Sequence, residues 1–156
     1  MTSDLAHAEV LYLHSPPDEE GVRQKKRAST APLRDAGRLT VRPLDTGALV
    51  DAFVACSARL RDADASCVAL AGVLGLPLLT DDAKERKVAL AEFPKIELVS
   101  TLELIRDAIS AMGLPEPEVL RIAHDLRWRG NFAPPKREPL ATWYLDLLRR
   151  GGVPFP

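Results

Sequence analysis

Cysteine and histidine are scarce in this chain, and their scarcity excludes several kinds of site. The two cysteines, Cys56 and Cys67, are too few for a disulfide framework and lack the C-x-x-C spacing of a redox motif. The three histidines form no H-E-x-x-H motif and no dense Cys/His cluster, so a zinc site has no support. Both cysteines are therefore predicted to be small core residues in a reducing compartment.

Long apolar runs and nucleotide-binding glycine motifs are also missing. The longest uncharged run, 65–80, is interrupted by Gly72, Gly75 and Pro77 and is shorter than the roughly 20 apolar residues that span a bilayer. The first residues include Asp4 and no basic segment, so we expect no signal peptide. No G-x-G-x-x-G or P-loop motif is present. We therefore expect a cytoplasmic protein without a membrane span.

The composition is that of one globular domain over 1–156, with 46% hydrophobic and 28% charged residues. The net charge is −1, but the charges are unevenly distributed. Residues 21–42 and 121–150 are basic, whereas 43–120 are acidic. If the basic flanks converge in space, this pattern favours an anionic polymer held over an acidic, cation-binding centre. The alternative is that the charges only solvate the surface.

Helical and strand patterns alternate along the chain. Apolar periodicity and capping residues predict helices over 3–14, 45–60, 62–75, 81–93, 101–113, 117–129 and 139–150. Apolar runs bounded by turn residues predict strands over 39–42, 76–80 and 96–99, while 15–35 is predicted to be a loop or a short helix. Ser100 and Glu103 form a capping box. This order predicts an α/β fold with a parallel sheet and helices on both faces.

Acidic residues follow the predicted strand 76–80. Ligands of parallel sheets bind outside the carboxyl ends of the strands, which is where Asp81 and Asp82 are expected. Asp62 and Asp64 open the preceding helix, and clustered carboxylates are favourable hosts for Mg²⁺ or Mn²⁺. The alternative is that these residues are helix caps, because aspartate is a preferred N-cap.

Three segments together resemble the PIN-domain family, a nuclease-like group that includes bacterial toxin ribonucleases. They are 60–71, an Ala-rich helix opened by acidic residues, 75–82, a strand ending in Thr-x-Asp, and 99–101. The resemblance covers roughly 3–113, and 114–156 is expected to be a helical extension of the same domain. It implies a three-layer fold with a small, mainly parallel central sheet and helices on both faces.

The resemblance also implies a metal-dependent site. Glu9, Asp64 and Asp82 match acidic positions at which the family binds Mg²⁺ or Mn²⁺ and cleaves RNA, so they are the expected catalytic residues. Asp62 and Asp81 are their neighbours and are included among the expected metal ligands. Thr80 is expected to orient Asp82 or a phosphate.

The fourth acidic position of the family has no counterpart. Family members carry a strand ending in Asp ahead of the helix that holds Glu9, and we expect no such strand here, with Asp4 in the wrong context to replace it. The resemblance then implies either an upstream segment or a degenerate member. A missing central strand exposes sheet edges, which favours a homodimer, and the toxin-like relatives imply an antitoxin-like partner.

Basic residues supply candidate contacts to RNA. Single-stranded nucleic acid is bound by cations interleaved with aromatic side chains. The candidates are Lys25, Lys26, Arg27, Arg127, Arg129, Lys136 and Arg137, of which Arg127 and Arg129 bracket Trp128. The alternatives are a solvated loop for the first three and an aromatic side chain docked on the core for Trp128. The leading hypothesis is a metal-dependent ribonuclease-type domain, and the alternative is a non-catalytic nucleic-acid-binding or protein-interaction module.

Overall fold

A computed structural model describes residues 1–9 and 11–153 of the chain. Its helices are α1 (Asp4–Ala8), α2 (Ala31–Asp35), α3 (Gly47–Ser57), α4 (Asp62–Leu74), α5 (Ala83–Glu92), α6 (Thr101–Met112), α7 (Glu116–Trp128) and α8 (Ala141–Arg150). Its strands are β1 (Thr2–Ser3), β2 (Tyr12–His14), β3 (Lys25–Arg27), β4 (Val41–Arg42), β5 (Leu78–Leu79) and β6 (Leu98–Val99). Within these residues, no helix combines the length and the apolar character that crossing a bilayer requires.

The described residues group into two compact units. Residues 1–9 and 29–99 form the α/β unit, and residues 11–28 and 100–153 form the helical unit. The core of the α/β unit lies where α4 packs against α3 and α5, and it is built from small and branched side chains such as Val68 and Leu78. The core of the helical unit joins α6, α7 and α8 around the fully buried Leu102 and Tyr144.

The α/β unit contains two short pairs of parallel strands. β1 pairs with β4, and β5 pairs with β6. A cleft of about 530 Å³, lined by residues of β1, α4 and β5, opens beside the two pairs. The third pair, β2 with β3, is antiparallel and belongs to the helical unit. The α/β class predicted from the sequence is therefore confirmed, with its strands in three two-stranded pairs among the described residues.

The helix predicted over 3–14 begins where expected, with Ser3 as its N-cap, but it ends at Ala8 and is therefore much shorter than predicted. A strand precedes the helix at Thr2–Ser3, and Glu9 ends it with an extended backbone (φ −64°, ψ 142°). Tyr12–His14 then form a strand, because their backbone groups pair with Lys25–Arg27, a segment predicted to be a loop or a short helix. The first helix is thus a five-residue segment between two strands.

Candidate functional site

Thr80 is a buried residue that directly follows β5 at the carboxyl edge of the β5–β6 pair. Its backbone N–H donates to the carbonyl of Val99 at 3.0 Å and holds the residue against β6. Its Oγ1 donates to Oε2 of Glu85 at 2.5 Å and accepts from the backbone N–H of Asp82 at 3.1 Å. Thr80 therefore joins the end of a strand to the start of α5.

Asp82 is the N-cap of α5. Its Oδ1 accepts hydrogen bonds from the backbone N–H groups of Lys84 at 2.7 Å and Glu85 at 2.9 Å. The capping interpretation is thus confirmed for this residue. Both hydrogen bonds of the cap use Oδ1, so capping does not involve Oδ2. The residue itself is exposed.

Glu85 is a buried carboxylate, with 7% of its surface exposed. Burial raises its pKa, the hydrogen bond from Thr80 lowers the pKa, and the negative charges of Asp64 and Asp82 raise it further. Asp64 and Asp82 therefore lie close enough to Glu85 to act on its charge. Asp82 and Glu85 lie at the start of α5, directly after the end of β5, and the charge of Asp64 at the start of α4 also acts on Glu85.

Asp62 and Asp64 both lie in the first turn of α4, but neither is its cap. Arg61 occupies the N-cap position, and it has no side-chain hydrogen bond there. Asp62 is exposed, whereas Asp64 is half-buried and pairs through Oδ2 with Nε of Arg61 at 3.6 Å. Negative charge is favourable at this helix end because the backbone N–H groups carry partial positive charge.

The carboxyl end of β1 also reaches the start of α4. Oγ of the buried Ser3 lies 2.6 Å from Oγ of Ser66, which donates to the carbonyl of Ala63. Asp4 follows Ser3 as the first residue of α1. The expectation that no strand precedes this helix was therefore wrong, and Asp4 follows a parallel strand as Thr80 does.

Two other predicted site residues are Glu9 and Asp81. Glu9 is exposed and is the C-cap of α1, where its backbone N–H donates to the carbonyl of Ala6. Asp81 is half-buried between Thr80 and Asp82. Hydrogen bonds thus join Thr80 to Asp82 and Glu85, the charge of Asp64 acts on Glu85, and no contact among residues 1–9 and 11–153 links Glu9 to this group.

The carboxylate oxygens at the β5 end are the donors that hard divalent cations prefer. Over residues 1–9 and 11–153, however, no three Asp, Glu, His or Cys side chains are grouped tightly enough to hold a metal ion as they stand. The donor chemistry therefore suits Mg²⁺ or Mn²⁺, and closer approach of the side chains is required to complete a coordination sphere.

Sequence reasoning missed Glu85. The pattern Asp82-x-x-Glu85 is typical of a helix start and, by itself, predicts a capping role for both residues. The carboxylate of Glu85 instead accepts a hydrogen bond from the hydroxyl of Thr80, five residues earlier in the chain. The combination of Thr, Asp and Glu at spacings of two and three residues is the only local signal that links them.

The predicted basic contacts to RNA lie in three segments of the helical unit: β3, the end of α7 and the loop that follows α7. Lys25, Lys26 and Arg27 are the three exposed residues of β3. The Arg127 guanidinium lies 5.2 Å from the centre of the Trp128 ring, and Arg129 pairs with Asp125 at 3.5 Å. Two further candidates, Lys136 and Arg137, are exposed in the loop that follows.

Comparison with known protein families, characterised proteins and solved structures finds no match to this chain.

Proposed function

We propose that the chain is a PIN-like, metal-dependent ribonuclease-type domain, with a three-layer arrangement, that cleaves RNA phosphodiesters. The observation that supports the proposal is the placement of Thr80, the Asp82 cap and the buried Glu85 at the carboxyl end of a parallel strand, where the charge of Asp64 also acts on Glu85. Ligand sites of parallel sheets occur at this edge. Carboxylates clustered in this way repel one another, and a divalent cation would relieve that repulsion.

The residues that would hold Mg²⁺ or Mn²⁺ are Asp64 and Asp82, with Glu9, Asp62 and Asp81 as additional ligands in the proposal. A bound ion of this kind supplies water activation and stabilisation of negative charge on a phosphate. The chain's own contribution is to hold the carboxylates in place. Thr80 fixes the buried Glu85, and the α5 cap fixes Oδ1 of Asp82.

Cleavage of a short single-stranded RNA with Mn²⁺ present tests the proposal. We expect Asp64→Asn and Asp82→Asn to lower the cleavage rate by at least about 100-fold, because each removes a charged ligand. Asp51→Asn is the matched control, since Asp51 is exposed on α3 and its substitution removes the same charge. Equal rates in all three variants would refute the proposed site.

Metal binding has a readout that does not depend on cleavage. Mn²⁺ that binds only the native state raises the melting temperature, and ten times the dissociation constant adds about 1.4 kcal/mol to the free energy of unfolding. We expect this shift for the wild-type chain and for Asp51→Asn, and its loss in Asp64→Asn. If the wild-type melting temperature does not change when Mn²⁺ is added, the alternative is favoured, which is a non-catalytic nucleic-acid-binding or protein-interaction module. The homodimer and the antitoxin-like partner stay predictions.

A further inference from the structure

The β2–β3 hairpin is fastened to the end of α7 by Arg23. The Arg23 side chain donates from Nη1 to Oδ1 of Asn131 at 2.7 Å, from Nη2 to the carbonyl of Trp128, and from Nε to the carbonyl of Ser15 at 3.2 Å. The backbone N–H of His14 adds a bond to the carbonyl of Arg129 at 2.9 Å. Part of the basic flank at 21–42 therefore meets the basic flank at 121–150 within the helical unit.

Trp128 is half-buried, and its ring already contacts two cations. The guanidinium of Arg23 lies 5.4 Å from the centre of its ring and that of Arg127 lies 5.2 Å away. The ring also packs against the core of the helical unit. Because the ring already contacts cations and core side chains, the ligand chemistry that this surface offers is positive charge and not an aromatic platform.

The exposed face of β3 extends this positive charge along a strand. Successive side chains of a strand point to opposite faces, so Lys25 and Arg27 lie on one face and Lys26 on the other. Lys25 lies over the ring of Tyr12 at 5.9 Å, on the same face. In the described part of the chain, none of the three cations of β3 forms an ion pair, whereas Arg129 is shared with Asp125. These unneutralised charges are available to an anion.

We infer that Lys25 and Arg27 on one face of β3, together with Arg127 and Arg129, bind the phosphate backbone of a single-stranded RNA; these four residues are named here the hairpin surface. Charges spread along an exposed strand suit a chain of phosphates better than a single phosphate group, and backbone contacts of this kind carry no base specificity. Arg23 is a positioning residue, because its guanidinium donors hold the hairpin beside α7. The choice of RNA as the polyanion rests on the proposed function.

The acidic turn at the far end of the hairpin limits the surface. Asp18, Glu19 and Glu20 lie in the loop between β2 and β3. Oδ1 of Asp18 accepts from the backbone N–H groups of Glu20 and Val22, so this carboxylate shapes the turn. The RNA is therefore expected to run from the end of α7 along β3 toward Arg27, away from this turn.

Equilibrium binding of a fluorescent single-stranded RNA, measured in EDTA over a series of salt concentrations, tests this inference without cleavage. Each phosphate contact contributes about −0.7 to the slope of log K against log salt. We expect the triple variant Lys25→Ala, Lys26→Ala, Arg27→Ala to reduce the slope by roughly one to two units. The matched control, Lys87→Ala, Lys95→Ala, Arg106→Ala, removes the same charge from exposed residues of the acidic segment 43–120 and is expected to retain the wild-type slope.

Arg23→Lys separates positioning from charge. Lysine keeps the charge but cannot make the fork of hydrogen bonds to Asn131 and Trp128. We expect weaker RNA binding at unchanged net charge, and a smaller effect of the β3 triple variant in this background. A full effect of the triple variant in the Arg23→Lys background would remove the positioning role.

Five results decide the matter. No RNA binding at low salt, or equal losses in the triple variant and its control, overturns the inference. Polyglutamate that binds while RNA does not would identify an acidic protein partner and overturn it as well. If RNA does not bind in EDTA but Mn²⁺-dependent cleavage is still observed, the hairpin surface is refuted and the proposed function is not. Intact, slope-sensitive binding without any cleavage supports the hairpin surface and refutes the proposed function alone.

Discussion

The hydroxyl of Thr80 donates to the carboxylate of Glu85 at 2.5 Å in the interior of the α/β unit. The hydroxyl lies at the end of a strand and the carboxylate lies in the first turn of the next helix. This bond partly offsets the cost of burying a carboxylate beside Asp64 and Asp82. It also links the stability of the unit to the protonation of Glu85.

The raised pKa of Glu85 makes the unit less stable at neutral pH than in mild acid. Its native pKa lies above the unfolded value of 4.5, so the native state binds the proton more tightly, and stability increases as pH falls through the native pKa toward 4.5. Glu85→Gln keeps an acceptor for Thr80 and removes the charge. We expect it to raise the melting temperature at pH 8 and to leave it nearly unchanged at pH 4. A difference that does not vary with pH would contradict the prediction.

The N-cap of α5 separates two roles of Asp82. Asp82→Asn retains an oxygen that accepts from Lys84 and Glu85, so its stability should stay close to that of the wild type. Asp82→Ala removes the cap and is expected to cost about 0.5–2 kcal/mol. At roughly 2–4 °C per kcal/mol for a chain of this size, calorimetry resolves the two variants. Equal melting temperatures for Asn and Ala would show that the cap contributes nothing.

Gly72 lies in α4 where the ring of Phe93 covers the helix. A Cβ at position 72 would lie 2.4 Å from Cγ of Phe93, so any side chain there displaces the ring. We expect Gly72→Ala to destabilise the protein by about 1–3 kcal/mol, despite the better helix propensity of alanine. Gly47→Ala is the control, since a Cβ at 47 meets nothing within 4 Å. Chemical denaturation measures both, and a stable Gly72→Ala variant would show that Phe93 moves aside freely.

Tyr144 predicts how the protein responds to alkali. Burial raises its pKa to about 12, and its ring meets Phe132 edge-on at 5.6 Å. The unfolded chain releases this proton near pH 10, so stability falls as pH rises from 10 toward 12. Tyr144→Phe removes that contribution and should flatten the decline in the free energy of unfolding over this range. An unchanged decline would place its cause at other groups.

The sequence predicted those features whose partners lie a few residues apart. Oγ of Ser100 accepts from the N–H of Glu103 at 3.1 Å, and Oε2 of Glu103 accepts from the N–H of Ser100 at 2.7 Å, as the capping box requires. Gly75 and Gly113 end their helices with φ of 63° and 59°, which favour glycine. These geometries depend on neighbouring backbone groups, so a local pattern specifies them.

Features that depend on distant partners were not predictable in the same way. The strand Tyr12–His14 exists because Lys25–Arg27 pairs with it, and its apolar residues are compatible with a helix when taken alone. Glu85 gains its role from burial, which depends on how α4 and α5 pack together. The strand that precedes Asp4 likewise forms only because Thr2–Ser3 pairs with the distant Val41–Arg42.

The bond between Arg23 and Asn131 joins residues that are 108 positions apart, with most of the α/β unit encoded between them. At a synthesis rate of about 5–20 residues per second, Arg23 is added to the chain roughly 5–20 s before Asn131. Residues 29–99 are completed during that interval. The α/β unit can therefore fold before Asn131, the hydrogen-bond partner of Arg23, has been synthesised. The order of translation therefore makes the helical unit the last to close.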